Sequence, residues 1–398
     1  MSSRVVVVGA SASGLSTVER LRERGHRGSI TLVGDEVHAP YDRPPLSKGL
    51  LSGAISVADL QLRAEDHLSG LGVDHRPGSR AVRLDAEARR VGLADGSSLP
   101  YDQLVIATGL RARRLPDSDD VEGVHVLRTR EDAIAFRVEL EHARRVVIIG
   151  GGFLASEVAS VVTDLSRSTT IVSRSPLLMD RQIGSELAGQ VTAAHRARGV
   201  DVLGGTGRAP QELLSADGRV RGVRLEDGTV LEADVVLLAI GGEPAVDWLE
   251  GSSVPVEDGV LCGVDCSAVD DVYAVGDVAR WHNELFETQM RLEHRTNAVD
   301  QGRHVADRII DRDRTPYAPV PYFWSDQLGL KFQSHGYLRA HDEVRILHGS
   351  VEERRLVALY RRGDRLVGAV GVGAVKALRG WRSAVAERAR WVDVMAAV

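Results

Sequence analysis

The chain has 398 residues, 43% hydrophobic and 27% charged, with a formal net charge of −6 at pH 7. That is length enough for two or three domains with separate cores, and the composition is that of an ordinary globular protein. No run of about 18 apolar residues occurs, which excludes a membrane-spanning helix, and the first strand starts too close to the N-terminus for a signal peptide, so a cytoplasmic protein is expected.

Residues 3–35 read as strand (4–8), glycine turn, helix (14–24) and strand (29–33). This is one βαβ unit of the length a dinucleotide fold needs. A turn- and proline-rich loop covers residues 34–53, and short alternating runs between about residues 73 and 100 predict antiparallel strands. A strand at 103–107 closes in Ala107-Thr108-Gly109. The same plan then restarts, with a strand at 145–149, a helix at 153–164 and a strand at 169–172. Ala216-Asp217-Gly218 and Glu226-Asp227-Gly228 are hairpin signals in a second meander, which closes on a strand at 235–240. The chain returns with Asp271-Val272-Tyr273-Ala274-Val275-Gly276-Asp277, and a proline-broken linker from Pro316 leads to further strands and one final Arg-rich helix. The pattern predicts an α/β fold: two Rossmann-like dinucleotide-binding domains, the second inserted into the first, and a C-terminal α+β domain. The expected boundaries are 1–112 with 243–318, then 113–242, then 319–398.

Two glycine loops carry the chemistry. In Val8-Gly9-Ala10-Ser11-Ala12-Ser13-Gly14, Gly9 permits the tight turn, Gly14 lets helix pack on strand, and Ser11 replaces the usual middle glycine. A pyrophosphate rests on the N-terminus of such a helix, where free N–H groups and the dipole favour anions. Asp35, 21 residues past Gly14, is placed to accept hydrogen bonds from ribose hydroxyls. The second loop is Ile149-Gly150-Gly151-Gly152-Phe153-Leu154-Ala155, with Ala155 in place of the third glycine. Two such loops argue for two dinucleotides on one protein, the arrangement needed to pass electrons from one to the other.

Only three residues are lysine, Lys48, Lys331 and Lys376, against 47 arginines. A lysine that survives this bias hints at a need for a compact ammonium. Lys48 lies in Pro40-Tyr41-Asp42-Arg43-Pro44-Pro45-Leu46-Ser47-Lys48-Gly49, where prolines stiffen the backbone and Arg43 and Lys48 offer two cations. Cys262 and Cys266 are too few for a disulfide framework or a metal site, and no metal is expected. From Pro321 to Val398 there are 13 basic and 8 acidic residues, a net of +5, which leaves −11 for the rest. A basic end on an acidic body suits an acidic protein partner.

These residues resemble the flavoprotein reductases of ferredoxins, the putidaredoxin, rubredoxin and ring-dioxygenase ferredoxin reductase type within the glutathione-reductase-like superfamily. The resemblance runs over nearly the whole chain. It is carried by both glycine loops, Arg43-Pro44-Pro45-Leu46-Ser47-Lys48, Ala107-Thr108-Gly109, Val272 to Asp277, Glu293-His294-Arg295-Thr296-Asn297-Ala298 with Gln301, and Phe323-Trp324-Ser325-Asp326-Gln327. It implies an enzyme that takes electrons from NADH or NADPH through FAD to a [2Fe-2S]-type ferredoxin serving a monooxygenase or dioxygenase. The FAD residues it implies are Gly9, Ser11, Ser13, Gly14, Asp35, Glu36, Arg43, Lys48, Val82, Ala107, Thr108, Gly109, Arg128, Gly276, Asp277, Trp324 and Val278, the last at the start of the next helix. For the nicotinamide coenzyme they are Gly150, Gly152, Phe153, Leu154, Glu157, Ser173, Arg174 and Gly241. Lys48 and Glu157 are the candidate catalytic residues, as an ion pair beside the flavin. The resemblance also implies that Phe153 covers or gates the flavin face and that the ferredoxin docks near Arg303 and Trp324.

The departures matter as well. No Cys precedes Cys262, so the early cysteine pair of the disulfide reductases is missing, and Arg295 stands where many members have Trp. NAD-preferring members carry an acid at about Ser173, whereas Arg174 suits a 2′-phosphate, so NADPH is expected to serve at least as well as NADH. A monomer or weak homodimer is expected, with neither nucleic acid nor membrane as partner. Two alternatives stay open: an oxidoreductase acting on oxygen, a quinone or a small metabolite, and a redox sensor like apoptosis-inducing factor.

Overall fold

A computed structural model describes residues 3–398, which divide into two compact units. The first unit comprises residues 3–42, 60–111 and 243–321. Its sheet has six strands in the order Ser267–Val269, Val272–Ala274, Gln103–Ile106, Val5–Val8, Ile30–Val33 and Val73–Arg76. The four valines Val5 to Val8 are buried on both faces, as expected of a parallel strand covered on either side. Val8 is in register with Val33 on one side and Ile106 on the other. The strand order reverses beside Val5–Val8, and in such sheets ligands bind beyond the carboxyl ends of the strands at that point. Helix Ala12–Glu23 packs against helix Arg295–Asp311 where Gly302 permits close approach. A Cβ on Gly302 would lie 2.5 Å from Ser16 Oγ.

The second unit comprises residues 43–59, 112–242 and 322–398. It holds a parallel sheet in the order Val200–Gly204, Ser168–Ser173, Arg145–Ile149, Val235–Leu238 and Val124–His125. Helix Phe153–Asp164 buries Ala155, Val158, Ala159 and Val162. Strands Pro210–Ala216 and Arg219–Leu225 form the expected hairpin, and Asp217 and Gly218 both take positive φ, as a tight two-residue turn requires. Leu46, Leu50 and Leu51 tie the Pro-Pro loop into this unit's core. An antiparallel sheet follows, ordered Tyr322–Gln327, Leu330–Gly336, Arg365–Val372, Arg355–Arg362 and Glu343–Ser350.

The C-terminus departs from the expected single helix. It forms three short helices, Val375–Arg379, Trp381–Ala386 and Trp391–Ala396. Between the second and third of these the chain leaves helical geometry because Leu366 N–H donates to Ala389 O and Trp391 N–H to Asp364 O, drawing residues 389–391 onto a strand end. Val278 also departs. It lies in a 3₁₀ turn, Gly276–Val278, that runs into the strand Ala279–Asn283 rather than a helix.

Candidate functional site

The first glycine loop forms a cradle inside the first unit. Gly9 N–H donates to Val33 O at 2.8 Å, and Ala107 N–H donates to Val8 O at 2.7 Å. Gly9 has φ +121°, and a Cβ there would lie 2.1 Å from Ala107 O. Gly14 is as tightly constrained, since its Cβ would lie 2.0 Å from Gly9 O. No other residue type fits either position without moving backbone. Gly276, at φ +75°, faces Ser13 across a gap that a Cβ would close to 2.9 Å. Gln301 Oε1 accepts from Gly276 N–H at 2.9 Å, which anchors the Asp277 turn to helix Arg295–Asp311. Gly9, Ser13, Gly14, Ala107, Gly276 and Asp277 therefore converge around the N-terminus of helix Ala12–Glu23.

That terminus has the properties of an anion site. Ser11 is the N-cap residue but makes no side-chain cap bond, and the first turn holds no acidic residue. The leading N–H groups thus face outward with a positive dipole end behind them. Asp35 is exposed just past strand Ile30–Val33, Glu36 Oε2 accepts from Tyr41 OH at 2.5 Å, and Val82 is 48% exposed. Thr108 Oγ1 donates to Ala245 O, and Gly109 follows at φ +66°.

The second loop repeats this geometry almost bond for bond. Gly150 N–H donates to Val172 O at 2.8 Å, and Ala239 N–H donates to Ile149 O at 2.7 Å. Gly150 has φ +128°, and its Cβ would lie 2.1 Å from Ala239 O. Gly152 caps helix Phe153–Asp164, again with no side-chain cap and no acid in the first turn. Ala155 is fully buried, so its methyl fills the space a third glycine would leave. Leu154 is half-buried, and Gly241 is exposed at φ +96°. Ser173 is buried, its hydroxyl donating to Ser175 O at 2.5 Å, and a Cβ on Gly151 would lie 2.8 Å from Ser173 Cβ. Arg174 is exposed and makes no ion pair among the described residues.

Lys48 and Glu157 meet within the second unit. Lys48 Nζ lies 2.6 Å from Glu157 Oε2, with 19% and 8% of the two side chains exposed. Ser47 Oγ donates to the same carboxylate oxygen at 2.6 Å, and Ser325 Oγ donates to Oε1 at 2.7 Å. Neither serine is a sequence-predicted site residue, although each lies within a string that carries the family resemblance, Arg-Pro-Pro-Leu-Ser-Lys or Trp-Ser-Asp-Gln. Phe153 packs edge-on against Phe323 at 4.6 Å between ring centroids. Arg43 Nη1 donates to Arg128 O at 2.6 Å, which brings those two candidates together. Trp324 is half-buried beside Tyr322, at 6.2 Å.

In the first unit, Arg295 pairs with Asp42 Oδ1 at 2.5 Å. Arg303 pairs with Glu23 at 3.0 Å. Both cysteines are buried and free, and burial pushes the Cys262 thiol up to about 12 and the Cys266 thiol well above its usual value. Neither is available as a thiolate. Among the described residues no cluster of His, Cys, Asp or Glu is arranged to hold a metal, and no helix is long and apolar enough to cross a membrane.

Two dinucleotide cradles on one chain, with a lysine–glutamate pair held near the start of the second cradle's helix, define a flavin- and nicotinamide-binding oxidoreductase. The chain belongs to the pyridine nucleotide-disulphide oxidoreductase family, whose model matches residues 3–302, and a reductase C-terminal model matches residues 322–397. It is 32% identical to putidaredoxin reductase of Pseudomonas putida, over 92% of this chain and 87% of that one. It is 34% identical to rhodocoxin reductase of Rhodococcus erythropolis, over 92% and 86% of the two chains. Among solved structures, the reductase in a covalent putidaredoxin reductase–putidaredoxin complex matches with a TM-score of 0.92 at 29% identity, covering 97% of this chain and 93% of that one.

Proposed function

We infer that this chain is an FAD-dependent NAD(P)H:ferredoxin oxidoreductase, which passes electrons to a small iron–sulfur ferredoxin serving a monooxygenase or dioxygenase. The observation that carries this is the repeated cradle, Gly9 against Ala107 and Gly150 against Ala239, within a family whose relatives are reductases of redox proteins. When bound, FAD supplies the conversion between hydride transfer from the nicotinamide and single-electron transfer outward.

The chain's own groups do the holding. The first-turn N–H groups of helix Ala12–Glu23 would bind the FAD pyrophosphate, Asp35 would accept from the adenosine ribose, and Asp277 would hold the ribityl–phosphate region. Those of helix Phe153–Asp164 bind the pyrophosphate of the coenzyme. Lys48, held by Glu157, would supply a compact cation to offset the negative charge of the reduced flavin. Arg174, exposed beside a Ser173 that carries no charge, suits a 2′-phosphate, and we assign NADPH as a donor at least as good as NADH.

The acceptor is of the [2Fe-2S] type, and charge attracts it to the C-terminal segment. Lys376, Arg379 and Arg382 are exposed there, whereas Arg303 already faces Glu23. The deciding measurement is reduction of cytochrome c by NADPH with and without ferredoxins from the same genome. A rate that rises steeply with one of them, and falls with added salt, supports the assignment. A rate indifferent to all of them, with rapid oxygen or quinone reduction instead, overturns it.

A further inference from the structure

Glu157 receives more than its lysine. Three donors converge on its carboxylate, Lys48 and Ser47 on Oε2 and Ser325 on Oε1. A carboxylate only accepts, so both serine hydroxyls donate to it. Ser325 Oγ then has lone pairs left, and Gln327 Nε2 donates to it at 3.2 Å. Gln327 Nε2 also lies 3.5 Å from Met179 Sδ, which directs its carbonyl the other way, 2.9 Å from His195 Nε2. His195 is fully buried, and burial lowers its pKa, so the ring is neutral and donates from Nε2. The result is an ordered chain His195–Gln327–Ser325–Glu157–Lys48 within one unit. Ser325 and His195 are wholly inaccessible and Gln327 is 2% exposed, so no bulk water competes with these bonds.

We propose that Ser325 is a positioning residue for hydride transfer, fixing the rotation of the Glu157 carboxylate and through it the place of the Lys48 ammonium. This rests on the assignment of Lys48 to the reacting end of the flavin. Lys48 Nζ also donates to Pro44 O at 3.1 Å and to Ser47 Oγ at 3.2 Å, both longer than its 2.6 Å bond to Glu157. A carboxylate released from Ser325 can turn about its Cγ–Cδ bond, and the ammonium can then settle toward either. The loss is one of alignment and not of charge.

The test is a double-mutant cycle on the intact FAD-bound protein, read by stopped-flow bleaching of the flavin over a range of NADPH concentrations. Ser325→Ala is expected to slow the limiting rate about tenfold, because misplacing a reacting-site group acts on the transition state. Its NADPH dissociation constant should move by less than about twofold, and in a Lys48→Met background Ser325→Ala should add less than about twofold. Gln327→Met, which keeps the volume and removes the donor to Ser325, should slow the rate in the same direction by a smaller factor, and it carries the test if Ser325→Ala does not fold. Full speed in both variants while Lys48→Met is slow overturns the proposal, as does an equal loss with and without Lys48. An unchanged rate in Lys48→Met alone overturns the assignment beneath it and the proposal together.

Discussion

Lys48 and Glu157 stand 109 positions apart in the chain and form a 2.6 Å ion pair in which neither side chain is more than one-fifth exposed. Removing one member leaves the other charge poorly solvated, while removing both leaves only a packing defect. Lys48→Met and Glu157→Gln should therefore each destabilise the protein by about 2 kcal/mol, and the double variant by less than the sum of the two. Thermal unfolding of the four proteins measures this. Catalysis should separate the partners further, with Lys48→Met slowing flavin reduction at least about tenfold, since the ammonium acts directly on developing charge.

The assignment of NADPH as a donor rests on two adjacent residues. Ser173 is buried against Gly151, and Arg174 is exposed beside it. A carboxylate at Ser173 would sit at the end of that strand, at the position the proposed reading gives the 2′-phosphate. Ser173→Asp should lower kcat/KM for NADPH by about tenfold or more through like-charge repulsion. Arg174→Ala should lower it by a similar factor while leaving NADH within about twofold, because only the phosphate loses a partner. Steady-state kinetics with both coenzymes decides. An unmodified protein that prefers NADH more than about tenfold would remove the case for Arg174 as a phosphate ligand.

Both cradles were legible because their signals are local. Four β-branched residues, a glycine whose φ is positive and a helix start within a dozen positions, and the backbone geometry follows from them. The bounds of helix Phe153–Asp164 could be read directly from the same run. The carboxylate's full environment was not legible, because Ser47 and Ser325 lie 110 and 168 residues from Glu157. Nothing in a serine's neighbours tells which distant group its hydroxyl will reach. The C-terminal helix broke up for a related reason: the bonds from Leu366 and Trp391 that interrupt it are tertiary and leave no periodicity to read. Arg295 is a third case, since its partner Asp42 was visible in sequence but the pairing was not.

The glycine positions of the first cradle are not equally strict. A methyl at Gly14 would lie 2.0 Å from Gly9 O, against backbone that cannot withdraw without opening the turn. Gly14→Ala should yield protein that has lost most of its flavin. Ser11 is only half-buried and makes no cap bond, so Ser11→Gly should retain FAD. The ratio of flavin absorbance to protein absorbance in freshly purified samples compares the two. Retained flavin in Gly14→Ala would mean that helix and strand separate more readily than the packing implies.

Asp234 offers a pH test of the second unit that is independent of the cofactors. Its carboxylate accepts from Arg145 Nη2 at 2.8 Å and from the N–H groups of Arg144 and Arg145 at 2.9 Å each. The Arg145 guanidinium is the main cause that holds the carboxyl down at about 2; burial opposes it, and the two backbone donors add lesser contributions in the same direction as the guanidinium. A carboxyl held below its unfolded value, about 4, stabilises the fold above that pH and loses the contribution as pH falls toward 2. The side chain is 34% exposed, so solvent screening reduces the stabilisation to about 1 kcal/mol. Asp234→Asn should thus unfold at lower urea than the parent at pH 7, with the gap narrowing between pH 4 and pH 2 as the parent's own carboxyl takes up its proton. A gap of constant width across that window would show that Asp234 acts through its shape and neutral hydrogen bonds and not through its charge.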